Sequence, residues 1–305
     1  MEKLFSRALL VIIASVALYV IFVIFSDISL LVGKFQNFNF LLLIPAFLLV
    51  LLSYFIRGYR WDFFLKTLGI NISLKNSMSL FFAGLGLSIT PGKFGEVIKS
   101  HFLKKDHDQS YAKTAPIVFV ERYYDLVGIL VISIIGIWFV NIDRTAVFVA
   151  LPIIIIALIT SQQKKIVIRI LGRLENFKLF NKFAKKMHET FETVHILLKP
   201  KLYAKSVGYS VAAWLIESLA VYLIFLGFEI ELSLPSVILI FTISSIIGGL
   251  SMLPGGIGIT EGGMVGLLLL EGIDYTSAIS VVILVRIVTL WFSVAIGLSV
   301  LKTKI

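Results

Sequence analysis

Polar positions in this chain are sparse and clustered, and the runs between them are almost wholly apolar, without the two-residue alternation of a half-buried strand. Runs of this length predict helices that cross a bilayer. They fall at about 8–25, 40–56, 114–140, 145–160, 206–227 and 277–300. Two further apolar stretches, about 78–98 and 235–270, are interrupted by proline and glycine. The first interruption reads Ser88-Ile89-Thr90-Pro91-Gly92-Lys93-Phe94-Gly95 and the second Ser251-Met252-Leu253-Pro254-Gly255-Gly256-Ile257-Gly258. Both carry Ser-x-x-Pro-Gly-x-x-Gly. Proline lacks a backbone N–H and glycine disfavours helix, so together they break a helix rather than bend it. In lipid the freed backbone groups need protein, water or ligand. Each break is therefore expected to line a cavity.

Matching residues come after the two breaks. A glutamate stands at once or three residues on (Glu96, Glu261), and about 25 residues later an arginine stands in an apolar helix (Arg122, Arg286). This spacing points to an internal duplication. The predicted fold class is an all-α polytopic membrane protein, with about six full transmembrane helices plus two re-entrant, broken-helix hairpins in an inverted repeat. Its parts are a first membrane repeat, 1–160, with a cytoplasmic-side hairpin at about 78–98; a basic cytoplasmic amphipathic arm, 161–205; and a second membrane repeat, 206–305, with an outer-side hairpin at about 235–270.

Composition sharpens the class. With 305 residues, 58% hydrophobic and 15% charged, the chain holds more apolar sequence than a soluble core buries. A net charge of +10 would suggest nucleic acid for a soluble protein, but its placement here gives another reading and no nucleic-acid partner is expected. Most of the 28 Lys and Arg residues fall in segments that share one side if the N- and C-termini are cytoplasmic, as the positive-inside bias requires. Arg57, Arg60 and Trp61 are expected in the headgroup layer on that side. Glu229, Glu231, Glu271 and Asp274 fall in outer loops. The bias holds only if the two hairpins enter from opposite faces, as in an inverted repeat. The absence of cysteine excludes disulfides, thiolate metal sites and a Cys nucleophile.

Ionisable residues at membrane depth are the candidate site. Glu96, Glu121, Asp125, Glu217 and Glu261 stand with Lys93, Arg122 and Arg286, and each costs at least about 2.5–3.5 kcal/mol at a helix centre unless paired or wetted. All should face inward. Glu121 and Asp125 share a helix face, with Arg122 about 100° away. Two readings stay open: the arginines bind a phosphate while the carboxylates carry a coupling ion, proton or sodium; or the charges only pair and hold the hairpins in place. Helix ends at membrane depth also expose N–H groups, and glycine lets a head group approach them. Pro91, Gly92, Gly95, Pro254, Gly255, Gly256, Gly258 and Gly262 thus complete the candidate substrate-binding set, although Gly262 and Gly266 equally suit close helix packing. Neither break has the Gly-Lys-Ser/Thr ending of a nucleotide loop. His101 and His107 beside Asp106 and Asp108 read as solvated surface, so no metal, cofactor or catalytic group is assigned. In the arm, Phe180, Phe183, Met187, Phe191, Val194 and Leu198 recur at helical spacing; its lysines favour the headgroup layer over packing as a cap.

Together, Thr90-Pro91-Gly92-Lys93-Phe94-Gly95-Glu96, Glu121-Arg122-Tyr123-Tyr124-Asp125-Leu126, Leu253-Pro254-Gly255-Gly256-Ile257-Gly258 with Glu261-Gly262, and Arg286-Ile287-Val288-Thr289-Leu290-Trp291 resemble the flippase-like membrane domain family. That family includes the transmembrane region of lysylphosphatidylglycerol synthases and membrane domains of archaeal lipid-linked glycosylation proteins. The resemblance implies an inverted repeat, a plasma-membrane location, and movement of a phospholipid or lipid-linked head group between leaflets, with anionic or phosphate-bearing lipids as partners. The sequence stops at Ile305 without the soluble aminoacyl-transfer domain of the synthases, so their reaction is not expected. The alternatives are a membrane enzyme acting on a phosphorylated lipid and a non-transporting accessory subunit.

Overall fold

A computed structural model describes residues 28–140 and 184–304. The predicted spans 8–25 and 145–160, and most of the basic arm, lie outside the described residues. Among those described, every regular element is helical.

A short helix that the hydropathy reading did not anticipate, α1 (Ile28–Gln36), comes first. A 3₁₀ turn (Phe40–Leu42), capped by the Asn39 side chain, then feeds α2 (Leu43–Thr67). Here the expected boundary is corrected. The helix does not stop at residue 56 but runs on through Arg57, Arg60 and Trp61, all three buried rather than placed among head groups. It can do so because carboxylates on neighbouring helices neutralise both arginines. The chain continues through α3 (Leu74–Leu85), the first break, α4 (Ile98–His107) and α5 (Tyr111–Ile137). Lys99, expected on the cytoplasmic side with Lys104 and Lys105, lies on α4 and is fully buried.

Beyond the undescribed segment come α6 (Ala184–Leu197), α7 (Pro200–Gly227), α8 (Leu234–Leu250), the second break and α9 (Ile259–Leu270). The chain ends as α10 (Tyr275–Arg286), one π turn (Ile287–Trp291) and α11 (Phe292–Lys302). Among the described residues, three continuous helical stretches are long and apolar enough to cross a membrane: Phe40–Thr67, Pro200–Gly227 and Tyr275–Lys302.

Residues 43–137 and 200–302 repeat one order of elements, and the joints between them match in detail. After α2, Gly69 turns left-handed and the Ile70 N–H reaches the Leu65 carbonyl; after α7, Glu229 and Ile230 do the same toward Phe225. Ser73 then caps α3 and Ser233 caps α8, each accepting an N–H three residues on. At the next joint Asp108 and Gly272 are both left-handed, and Ser110 and Asp274 cap the next helices. The packing corresponds too. Helices α2 and α7 lie against each other; α3 packs on α11 as α8 packs on α5; and α5 touches α7 as the π turn touches α2. At the α3–α11 crossing the backbones meet at Gly86 and Gly297, where a Cβ built on Gly86 would come 2.7 Å from the Gly297 carbonyl carbon.

Helix α6 packs on α5, so this part of the arm is in contact with protein. Pro116 has no N–H for the carbonyl four residues back, and Thr190 Oγ1 donates to that carbonyl, Ala112 O, at 3.2 Å. The Ser110 hydroxyl donates to Glu189 at 2.5 Å, and the Tyr124 hydroxyl to the Leu197 carbonyl at 2.8 Å. Leu197 and Thr193 are buried beneath.

Candidate functional site

Both breaks are compact turns that use their own polar groups. In the first, Thr90 is extended, Pro91 opens a 3₁₀ turn, and Gly92 and Lys93 are left-handed, with φ of 56° and 58°. Thr90 Oγ1 accepts the Gly95 N–H at 2.6 Å, and the Lys93 N–H reaches the Thr90 carbonyl at 2.8 Å. In the second, Gly255 and Gly256 take the left-handed pair, with φ of 60° and 65°. The N–H groups of Gly256, Ile257 and Gly258 bond to Leu253 O, Pro254 O and Glu261 Oε2. These three amides are therefore occupied and not bare, contrary to the expectation that the turn offers them to an anion. The two breaks touch. A Cβ on Gly92 would lie 3.1 Å from Met252 Sδ, and one on Gly255 3.3 Å from Ile89 Cγ1.

An arginine from the following long helix holds each break. Arg286 donates from Nε to Glu261 Oε1 at 2.7 Å and from Nη2 to the Gly255 carbonyl at 2.6 Å. Glu261 in turn accepts the Gly258 N–H at 2.8 Å, so one buried pair ties α10 to the turn and to the start of α9. At the first break Arg122 Nη2 lies 3.4 Å from Glu96 Oε2. The corresponding arginines thus hold corresponding glutamates.

Around the first break the charges form a chain: Arg60 to Asp125 (2.8 Å), Asp125 to Arg122 (3.2 Å), Arg122 to Glu96, Glu96 to Lys99 (3.5 Å), and Lys99 to Glu121 (2.6 Å). Lys99 also stands 4.2 Å from the Trp61 ring and 5.4 Å from Phe81, an aromatic setting that favours a desolvated ammonium. Arg57 pairs with Glu217 at 2.6 Å and lies over Trp214 at 5.0 Å. Arg60 also donates to Ser210. Glu121 and Asp125 share a face, as their spacing requires, yet hold different cations. Arg122, expected to point away from them, turns onto Asp125 one helical turn on.

Of the predicted site residues, the structure brings together Lys93, Glu96, Glu121, Arg122 and Asp125, and separately Gly255, Gly258, Glu261 and Arg286. Glu217 pairs with Arg57 between α2 and α7. Gly262 is exposed with nothing near where its Cβ would be, and so is Gly266. Arg57, Arg60 and Lys99 are not among the predicted site residues; the two arginines carry one sequence signal, their three- and four-residue spacing with Trp61 on a single helix face, and Lys99 carries none. Among the described residues no group of three or more His, Asp or Glu is placed to hold a metal. Lys93 makes no ion pair among the described residues, since Glu96 and Asp125 already hold other cations.

Long apolar helices that bury paired charges between them define an integral membrane protein of helical type. The chain belongs to the family described as the lysylphosphatidylglycerol synthase TM region, whose model matches residues 12–297. Its relatives include a UPF0104 membrane protein of Pyrococcus horikoshii, 28% identical over 97% of each chain. Another, from Methanocaldococcus jannaschii, is 28% identical over 68% of this chain and 89% of its own. A third, from Methanothermobacter thermautotrophicus, is 23% identical over 79% and 78%.

Proposed function

We propose that this protein is a lipid flippase that moves a phospholipid or a lipid-linked head group between leaflets and has no catalytic step of its own. In this reading residues 43–137 and 200–302 are inverted halves, the two breaks are re-entrant hairpins entering from opposite faces, and the termini are cytoplasmic in a plasma membrane. The basic arm, 161–205, lies on the cytoplasmic side. The observation that carries the reading is the contact between the two Pro-Gly breaks beside a chain of buried charges. Non-helical backbone at membrane depth belongs where it lines a pathway, and discontinuous helices meeting between repeats are how transporters form a site reached from either side. A proton or sodium ion drawn to the carboxylates is the natural coupling partner.

The test is reconstitution into liposomes holding fluorescent lipids, with quencher added outside. Transfer above protein-free liposomes for at least one phosphate-bearing lipid is expected, lost in Arg122→Ala. Equal rates with and without protein across a panel of lipids, under proton and sodium gradients in turn, would defeat the proposal. Cysteine introduced at 91 or 254 reports topology, and labelling of both from one face would defeat the inverted arrangement.

A further inference from the structure

Lys93 stands where the second break has glycine. Pro91-Gly92-Lys93 and Pro254-Gly255-Gly256 trace one backbone path, with left-handed φ at both residues after each proline. A side chain in that conformation is strained, and such strain persists at ligand clamps and other sites where the surroundings impose it. Glu96 and Asp125 act on this lysine only from beyond ion-pair distance, and at contact distance they hold Arg60, Lys99 and Arg122 instead. Arg122 is the accessible member of that chain. Its side chain is 28% exposed where those of Arg60 and Lys99 are fully buried, and its contacts of 3.2 and 3.4 Å are longer than the 2.6 Å between Lys99 and Glu121. Its Nε is buried without a partner among the described residues. Beside it lie exposed apolar groups: Phe94 and Phe119 in edge contact at 5.8 Å, and Met252 from the other break.

We propose that Lys93 and Arg122 form a subsite for a phosphate group, that Phe94, Phe119 and Met252 receive the acyl chain that carries it, and that Glu96 competes with the phosphate for Arg122. The proposal rests on the flippase reading for the transfer of the bound lipid, but not for the binding itself. A phosphate supplies the direct anionic contact that Lys93 lacks, and two oxygens to which one guanidinium can donate at once.

The experiment titrates the purified full-length chain in neutral detergent with short-chain phosphatidate, the matching diacylglycerol, or inorganic phosphate, read by native mass spectrometry. Phosphatidate should bind at least about tenfold more tightly than diacylglycerol. Lys93→Gly should weaken phosphatidate about tenfold while the melting temperature stays level or rises, because glycine relieves the left-handed strain. Glu96→Gln should tighten it. Equal binding of the two lipids, unchanged affinity in Lys93→Gly, or a fall in its melting temperature, as a purely structural lysine would give, overturns the proposal. Inorganic phosphate displacing phosphatidate at equal concentration overturns the acyl-chain part and makes the ligand a soluble anion. The expected binding pattern without leaflet transfer would remove the flippase reading and leave the subsite. Transfer that survives with phosphatidate binding insensitive to Lys93 would do the reverse.

Discussion

Arg286 closes the second break with one side chain, holding a carboxylate on α9 and a carbonyl of the turn together. Removing one partner of a buried pair leaves the other charged and desolvated, which typically costs about 3–5 kcal/mol, whereas replacing both with apolar or neutral groups of similar size costs much less. Arg286→Ala should therefore lower the melting temperature in detergent substantially, and Glu261→Gln with Arg286→Met should recover most of the loss. Equal damage in the single and double variants would show that the pair is not what holds the turn. Arg122 and Arg286 were legible because their spacing from the breaks repeats. Arg57, Arg60 and Lys99 were not. A basic residue beside an apolar run looks like a headgroup anchor until its carboxylate is located, and those carboxylates lie on other helices.

Helix ends carry the next level of control. Asp274 caps α10, accepting the Ser277 N–H at 2.9 Å and the Ser277 hydroxyl at 2.6 Å. Partial burial pushes its carboxyl up, but the Ser277 bonds and nearby Lys34 more than offset this, and the net shift is downward. A lowered folded-state value means stability present above the ordinary aspartate range, about 3.9, and lost as pH falls through the folded value. Asp274→Ala should cost about 0.5–2 kcal/mol near neutral pH, with the difference from wild type shrinking on acidification; a pH-independent difference in melting temperature would argue against the cap. At α5, Pro116 creates an acceptor that α6 uses through Thr190. Thr190→Val should speed amide exchange in α6 relative to α7. Unchanged exchange would mean that burial of Leu197 and Thr193 holds α6 by itself. Helical spacing made the arm's amphipathic face visible, but its contact with α5 uses this freed carbonyl, which the sequence does not assign to a donor.

Across the whole molecule, the contact between α2 and α7 joins the two similar halves. Arg57 and Glu217 are 160 residues apart, as are the matching caps Ser73 and Ser233, so the ion pair links corresponding positions of the two halves. Arg57→Glu should destabilise strongly through two buried like charges, and adding Glu217→Arg should restore folding, because reversal keeps the pair between the same helices. Failure of the reversed pair to recover stability, measured as monodisperse yield and melting temperature, would mean that the packing of Arg57 on Trp214 outweighs the ion pair. The shared Pro-Gly pattern of the two breaks was readable in the sequence; the matching turns at Ile70 and Ile230 are too short a signal to stand out without the backbone geometry beside them.

The sequence by itself determined that this is a helical membrane protein whose helices are interrupted at two Pro-Gly breaks. Lipid exposes composition directly, and proline and glycine act on the residues next to them, so both signals are local. The tertiary structure decided which charge neutralises which, that α2 runs past its apolar stretch, and that the amides of Gly256, Ile257 and Gly258 are already bonded. Those outcomes depend on groups from different helices meeting at about 3 Å, and no local pattern encodes that approach.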